Sequence, residues 1–253
     1  MSIDNDQFLA FLNELLQPER VRDFCPNGMQ VEGKKQIKSV VTGVTASQNL
    51  IDEAIRLEAD AILVHHGYFW KGEDPCIKGM KKQRLKALLS NDINLYAYHL
   101  PLDIHPTLGN NAQLAKLLGI EIEGGLEAGN ATSVAMRGNF ETPLDAIQLG
   151  RTIEVKLGRK PLHEASSKKL IQSVAWCTGG GQNYIEMAAE QGVDAYITGE
   201  VSEQTIHTAR EMDIHFYAAG HHATERYGVK ALGEHIAQKL GLTVQFVDIP
   251  NPA

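Results

Sequence analysis

"SVVTGVTASQNLIDEAIRLEADAILVHHG" occupies residues 39–67. Its first part, "KSVVTGVTA" (38–46), is a short β-branched run that reads as a buried strand. "QNLIDEAIRLEA" (48–59) follows with Leu50, Ile51, Ala54, Ile55 and Leu57 on one broad face, the pattern of an amphipathic helix. "AILVHH" is the next apolar run and the next strand. Strands alternating with helices of this length indicate α/β units with a largely parallel sheet.

The same alternation continues outward. Residues 7–16 read as a helix, "MKKQRLKALLSN" as a helix with a basic, solvated outer face, and "INLYAYHLPLD" as a strand. "NNAQLAKLLG" is a helix that stops at Gly119. The pattern blurs in "IEIEGGLEAGNAT" (120–132), rich in Gly and Glu and the best candidate for a domain boundary. "CPNGMQVEG" (25–33) reads as a loop with a turn at Asn27-Gly28.

Residues 39–67 can be laid without a gap on "SVAWCTGGGQNYIEMAAEQGVDAYITGEV" (173–201), a shift of 134 that puts Ser39 on Ser173. The Gln-Asn pair and Asp-Ala recur at matching places. With the shift changed to 122, His99 falls on His221 and Asp103 on Glu225. Duplication explains this better than chance. The expected fold is therefore α/β, with two related domains of mixed, mostly parallel sheets flanked by helices. The first spans 1–125 plus about 214–253, the second about 126–213, with strand ends of both facing a shared site.

Three clusters carry chemistry. His65 and His66 end a strand, where parallel sheets gather binding residues. Both can reach one site only where the chain leaves the sheet, and Gly67 permits that turn. The competing reading is one packing and one solvent-facing histidine. Asp103 sits on a loop just past a strand, because Pro101 and Pro106 end any regular structure, and alone would pass for a turn former. "AAGHHATERYGVKAL" holds His221, His222 and Glu225, with His221 and Glu225 four apart around the start of a helix. Helix capping competes there. Three imidazoles and two carboxylates without a thiolate suit two metal ions with one bridging carboxylate. Borderline ions (Zn, Fe, Mn, Co, Ni) fit that donor set.

Glu200 falls on His66 in the repeat. It reads as a carboxylate that orients an imidazole or caps the helix "VSEQTIHTAREM", with a proton-transfer role the sharper alternative. His99 is the second candidate for proton transfer. His207 reads as a surface histidine. The glycines of "CTGGGQN" (177–183) form at most a loose anion nest.

Composition narrows the partners. With 24 Lys and Arg against 31 Asp and Glu the net charge is −7, and no basic stripe appears, which argues against nucleic acid. No apolar run is long enough for a membrane span. The amino terminus lacks the basic and small-residue features of a signal peptide. Three separated cysteines, Cys25, Cys76 and Cys177, fit a reducing cytoplasm and exclude a disulfide framework.

"NGMQVEG", "VHHGYFWKG", "YHLPLDIHPTLGNNAQLAKLLG", "TGEVSEQ" and "GHHATERYGVKALGEH" together resemble the NGG-interacting-factor-three family, in its bacterial YbgI branch of GTP cyclohydrolase type-two homologues. The resemblance runs from about residue 7 to 250. It implies a two-domain α/β fold with a dinuclear centre whose ligands are His65, His66, Asp103, His221 and Glu225. Glu225 would touch both ions, and His221 is chosen over His222. It also implies a toroidal homohexamer.

The functional expectation is a dinuclear metal-binding protein that acts as a metal-dependent hydrolase on a small molecule, GTP or another nucleotide being the candidate. The rival is a non-catalytic metal-binding ring protein acting in regulation or stress response.

Overall fold

The computed structural model describes all 253 residues, and they divide into two compact units. The first comprises 1–109 and 228–249, the second 110–227 and 250–253.

In the first unit a five-stranded sheet runs in the order Thr243–Phe246, Ser39–Thr45, Ala61–His66, Asn94–Ala97, Gly28–Val31. The first four strands are parallel and the last is antiparallel to its neighbour. Ala61, Ile62, Leu63 and Val64 are all fully buried, as a central strand covered on both faces requires. Alternate residues feed opposite cores. Ala61 and Leu63 pack with Phe8, Leu12, Leu232 and Ile236, whereas Ile62 and Val64 pack with Leu50, Ile51, Ala54 and Leu88.

The helix after the first buried strand is Gln48–Arg56, capped by the Ser47 hydroxyl, which accepts from the Leu50 amide. It stops three residues short of the expected 59, because Glu58 turns into the left-handed region at φ 53°. The strand expected over 93–103 is confined to Asn94–Ala97. His99 then opens a short helix, Leu100–Ile104, so Asp103 sits on a helix and not a loop. Pro101 lies in its first turn, where no amide is needed for helical hydrogen bonding.

The second unit holds a six-stranded sheet in the order Ile120–Gly125, Met136–Leu144, Ile171–Cys177, Ala195–Thr198, His215–Ala218, Leu162–Glu164. The strands Ile171–Cys177, Ala195–Thr198 and His215–Ala218 run parallel, and the remaining pairings are antiparallel. The Gly- and Glu-rich stretch after 119 is thus not a linker. It starts with an edge strand, admitted by Gly138, whose missing Cβ would lie 2.1 Å from the Glu121 carbonyl oxygen. Both this strand and His215–Ala218 hydrogen-bond into the second sheet, so the division falls near 110 and 228 rather than near 125 and 214.

Each unit repeats the other's wiring. The Asp60 carboxylate accepts from the Lys38 and Ser39 amides and from Lys34 Nζ. Asp194 accepts from the Gln172 and Ser173 amides, with Lys168 Nζ at 3.2 Å. Those residues are 134 apart, the shift read from sequence (194 − 60, 173 − 39, 168 − 34). In the following strand the shift differs. Ala61 pairs with Asn94 and Ala195 with His215, a shift of 121 (215 − 94), not 122. The Tyr98 amide donates to the Val64 carbonyl as the Ala219 amide donates to that of Thr198. His99 therefore corresponds to Gly220 and Asp103 to Thr224. Matching histidine to histidine in the sequence slipped the backbone register by one residue.

Candidate metal centre

The histidine pair leaves its strand with both rings on the same side, their centroids 4.4 Å apart. His65 is completely buried. Its Nδ1 lies 3.1 Å from the Tyr98 carbonyl oxygen. A carbonyl only accepts, so Nδ1 carries the hydrogen and the lone pair is on Nε2. That nitrogen is 3.5 Å from Asp103 Oδ1. Metal-binding imidazoles have this arrangement, one nitrogen tied to a carbonyl and the other left as a donor to the ion. His66 Nδ1 is 3.1 Å from the Thr45 hydroxyl.

Gly67 serves a different purpose from the turn expected of it. A Cβ there would meet Gln30 Oε1 at 2.2 Å and Ala97 Cβ at 2.6 Å. The glycine makes room for Gln30, whose amide brackets the Tyr68 backbone: Oε1 accepts from the Tyr68 amide at 2.7 Å and Nε2 donates to its carbonyl at 3.1 Å.

His99 joins the pair. Its ring centroid is 5.0 Å from that of His65, 5.7 Å from that of His66 and 4.9 Å from the Trp70 ring. One nitrogen each from His65, His66 and His99 lie within 4.8 Å of one another, a spacing that could hold a metal ion. Asp23 orients His99: Oδ1 accepts from Nδ1 at 2.7 Å. Asp23 also accepts from the Phe24 and Leu100 amides and from Asn27 Nδ2, while Asn27 Oδ1 accepts from the His99 amide. Burial works to raise the Asp23 carboxyl, but these bonds and the charge of His99 outweigh it and hold it at about 2. Cys25 lies close enough to complete a second donor group with Asp23 and His99. Burial and the neighbouring Asp23 push its thiol up to about 12, so no thiolate is on offer, and both Asp23 oxygens are engaged. That group is a hydrogen-bonding hub.

The helix His221–Leu240 starts at the histidine itself. Glu225 is buried and beyond the first turn, so capping does not explain it. His221 donates from Nδ1 to Glu200 Oε1 at 2.7 Å, and its Nε2 lies 3.2 Å from Glu225 Oε2. Burial alone would lower His221. The bonds and charges of Glu225 and then Glu200 win, and raise it to about 9. A cation between two carboxylates is what this pocket asks for, and a divalent ion answers the same need. Glu200 is not a helix cap. The helix Glu203–Glu211 is capped by Ser202 in a reciprocal pair with Thr205. His207 is exposed on that helix.

The glycine run at 179–181 leaves space for acids rather than for a phosphate. A Cβ on Gly179 would lie 2.0 Å from Glu225 Oε1 and 3.0 Å from His221 Nε2, and one on Gly180 3.6 Å from Glu200 Oε2. The structure thus gathers His65, His66, His99 and Asp103 in one unit and His221, Glu225 and Glu200 in the other. Sequence reasoning passed over Asp23, read Asn27 as a plain turn and read Gly179 as part of an anion nest. The one signal was the "NGMQVEG" motif, whose asparagine holds the His99 backbone.

Residues 3–252 match the family model described as Duf34/NIF3 (NGG1p interacting factor 3). A "GTP cyclohydrolase 1 type 2 homolog" of Vibrio cholerae serotype O1 is 60% identical over 252 residues, 99% of this chain and 100% of the relative. Its counterpart in Escherichia coli K12 is 58% identical over 250 residues, 98% of this chain and 99% of that one. A solved structure described as "protein ybgI, unknown function" superposes with a TM-score of 0.96 at 57% identity, covering 99% of this chain and 100% of that one. A match over nearly the whole length at such identity leaves one conclusion: the chain belongs to the Duf34/NIF3 family.

Proposed function

We propose that this chain is a metal-dependent hydrolase of small molecules, of GTP cyclohydrolase or nucleotide-hydrolysing type. In this reading His65, His66, Asp103, His221 and Glu225 would hold two divalent ions per chain. His65 carries this reading: a completely buried imidazole whose Nδ1–H is tied to the Tyr98 carbonyl presents its Nε2 lone pair beside the Asp103 carboxylate. The relatives' printed name supports the substrate class.

When bound, a pair of divalent ions activates water at neutral pH. The residues around the ligands manage protons and orientation. Asp23 holds His99 by Nδ1, so the other imidazole nitrogen is the group available to take or give a proton. Glu200 fixes the His221 ring through Nδ1. Trp70 lies against His66 and His99. The reading includes the toroidal homohexamer and a cytoplasmic setting for the three free cysteines. No helix is long and apolar enough to cross a membrane.

The test is to load the protein in turn with Zn, Mn, Fe, Co and Ni, count ions per chain, and supply GTP and other nucleotides. Formate release from GTP, lost together with metal in Glu225→Gln, is the expected result. Full metal loading with no turnover of any nucleotide would overturn the hydrolase and leave the non-catalytic metal-binding ring. A monomer in light scattering would remove the hexamer.

A further inference from the structure

A cavity of about 550 Å³ opens in the second unit beside Glu200, a volume suited to a small-molecule ligand. Its wall includes Arg159, Lys160, Pro161, Leu162, Glu200 and Val201. Two cations thus share a wall with the carboxylate that orients His221. Glu200 Oε1 is already engaged by His221 Nδ1 at 2.7 Å.

Arg159 and Lys160 follow the helix Ala146–Leu157, which ends at Gly158 with φ 67°. Basic residues there often serve only the helix terminus. Here other groups do that work. Arg226 Nη2 donates to the Leu157 carbonyl, and the Tyr227 hydroxyl donates to that of Lys156. No carboxylate forms an ion pair with Arg159 or Lys160 (all the bridges of the unit go elsewhere). The guanidinium donates to the Pro252 carbonyl, one of its five N–H groups. It is also placed firmly. Gly220, at φ 100°, lets it lie on the backbone next to His221, and a Cβ there would come within 2.9 Å of Arg159 Nη1. A guanidinium fork that shares a wall with an ammonium matches a doubly charged phosphate better than a single carboxylate. Pro161, Leu162 and Val201 offer apolar cover to the rest of such a molecule.

We infer that this cavity binds the phosphate group of a small phosphorylated substrate through Arg159 and Lys160, and so delivers that substrate to the Glu200–His221 edge of the centre. The inference rests on the hydrolase reading, and it assigns the phosphate of that substrate to Arg159 and Lys160.

Calorimetry on the metal-loaded full-length protein tests it, with phenylphosphonate as a non-hydrolysable probe and benzoate as the carboxylate arm. Binding of phenylphosphonate that weakens with salt is expected, with at least a tenfold loss of affinity in Arg159→Gln at unchanged metal content. Lys160→Gln, at an exposed position without folding consequences, should lose several-fold and secures the result if Arg159→Gln misfolds. Equal affinity of wild type and the Lys160→Gln and Arg159→Gln variants, absence of phenylphosphonate binding at physiological salt, or benzoate binding as tightly would each overturn the inference. Failure of the hydrolase reading is seen separately. A chain that turns over nothing but loses the probe in Arg159→Gln keeps this site, whereas one that hydrolyses nucleotides with unaltered KM in both variants does not.

Discussion

Glu225 Oε1 occupies the space that a side chain on Gly179 would need: an added Cβ would lie 2.0 Å from it. The glycine is itself fixed at φ 64°, with its amide donating to the Thr224 hydroxyl at 3.0 Å. An alanine there meets the end of a flexible acid rather than backbone, so the fold can absorb it at a strain of about 1–2 kcal/mol for the left-handed φ. The carboxylate has to move. Gly179→Ala should therefore lower the melting temperature by only a few degrees while reducing bound metal at least tenfold. Elemental analysis alongside calorimetry checks both, and full metal occupancy in the variant would contradict the assignment of Glu225.

Asp23 works through His99. Asp23→Asn removes the charge that accepts from His99 Nδ1 and the Leu100 amide, while the proposed ligands stay in place. Hydrolysis should fall at least tenfold with metal content kept. The stability effect has a defined sign. The carboxyl titrates at about 2 in the folded chain against its ordinary 3.8, so its contribution is complete above the ordinary value and disappears as pH falls towards the folded one. The melting-temperature gap between wild type and Asp23→Asn should be widest above about pH 5 and close by about pH 2.

Gly67→Ala separates room from flexibility. The new methyl would press on Gln30 Oε1 at 2.2 Å and Ala97 Cβ at 2.6 Å, and Ala97 belongs to the neighbouring strand. Overpacking of this kind costs about 1–3 kcal/mol. Gln30→Ala in the same chain should recover part of that loss by thermal unfolding, because the nearest obstacle is the glutamine amide. No recovery would place the strain on the Ala97 side.

The parts of the fold legible in the sequence are those written in local periodicity. The strands Ser39–Thr45 and Ala61–His66 and the helix between them follow from apolar spacing alone. The 134-residue shift was legible because Ser39, Asp60, Ser173 and Asp194 do the same backbone work in both sheets. The one-residue slip at His99 was not, since strand register is set by hydrogen bonds and not by matching side chains. Asp103 read as a loop residue because two prolines flank it, although Pro101 is harmless in a first helical turn. Asp23 lies 76 residues from His99 along the chain, and nothing local marks that bond.

Asp60 and Asp194 give the duplication a thermodynamic test. Each is buried or half-buried and gathers two backbone amides, a serine hydroxyl and a lysine. Burial acts to raise both carboxyls, yet these donors hold both below the usual carboxylate range. Replacing either by alanine leaves two strand-end amides without their acceptor and should cost about 1–3 kcal/mol. Because the folded values are depressed, the stabilisation is present above the ordinary 3.8 and is lost as pH falls below it. Denaturation of Asp60→Ala and Asp194→Ala at pH 7 and near pH 3 should show similar losses at the higher pH that shrink together at the lower. Each aspartate serves its own sheet, so the double variant should lose the sum of the two. A strongly unequal pair of losses would mean that the two units use the same wiring for different loads, and would weaken the case that one was copied from the other.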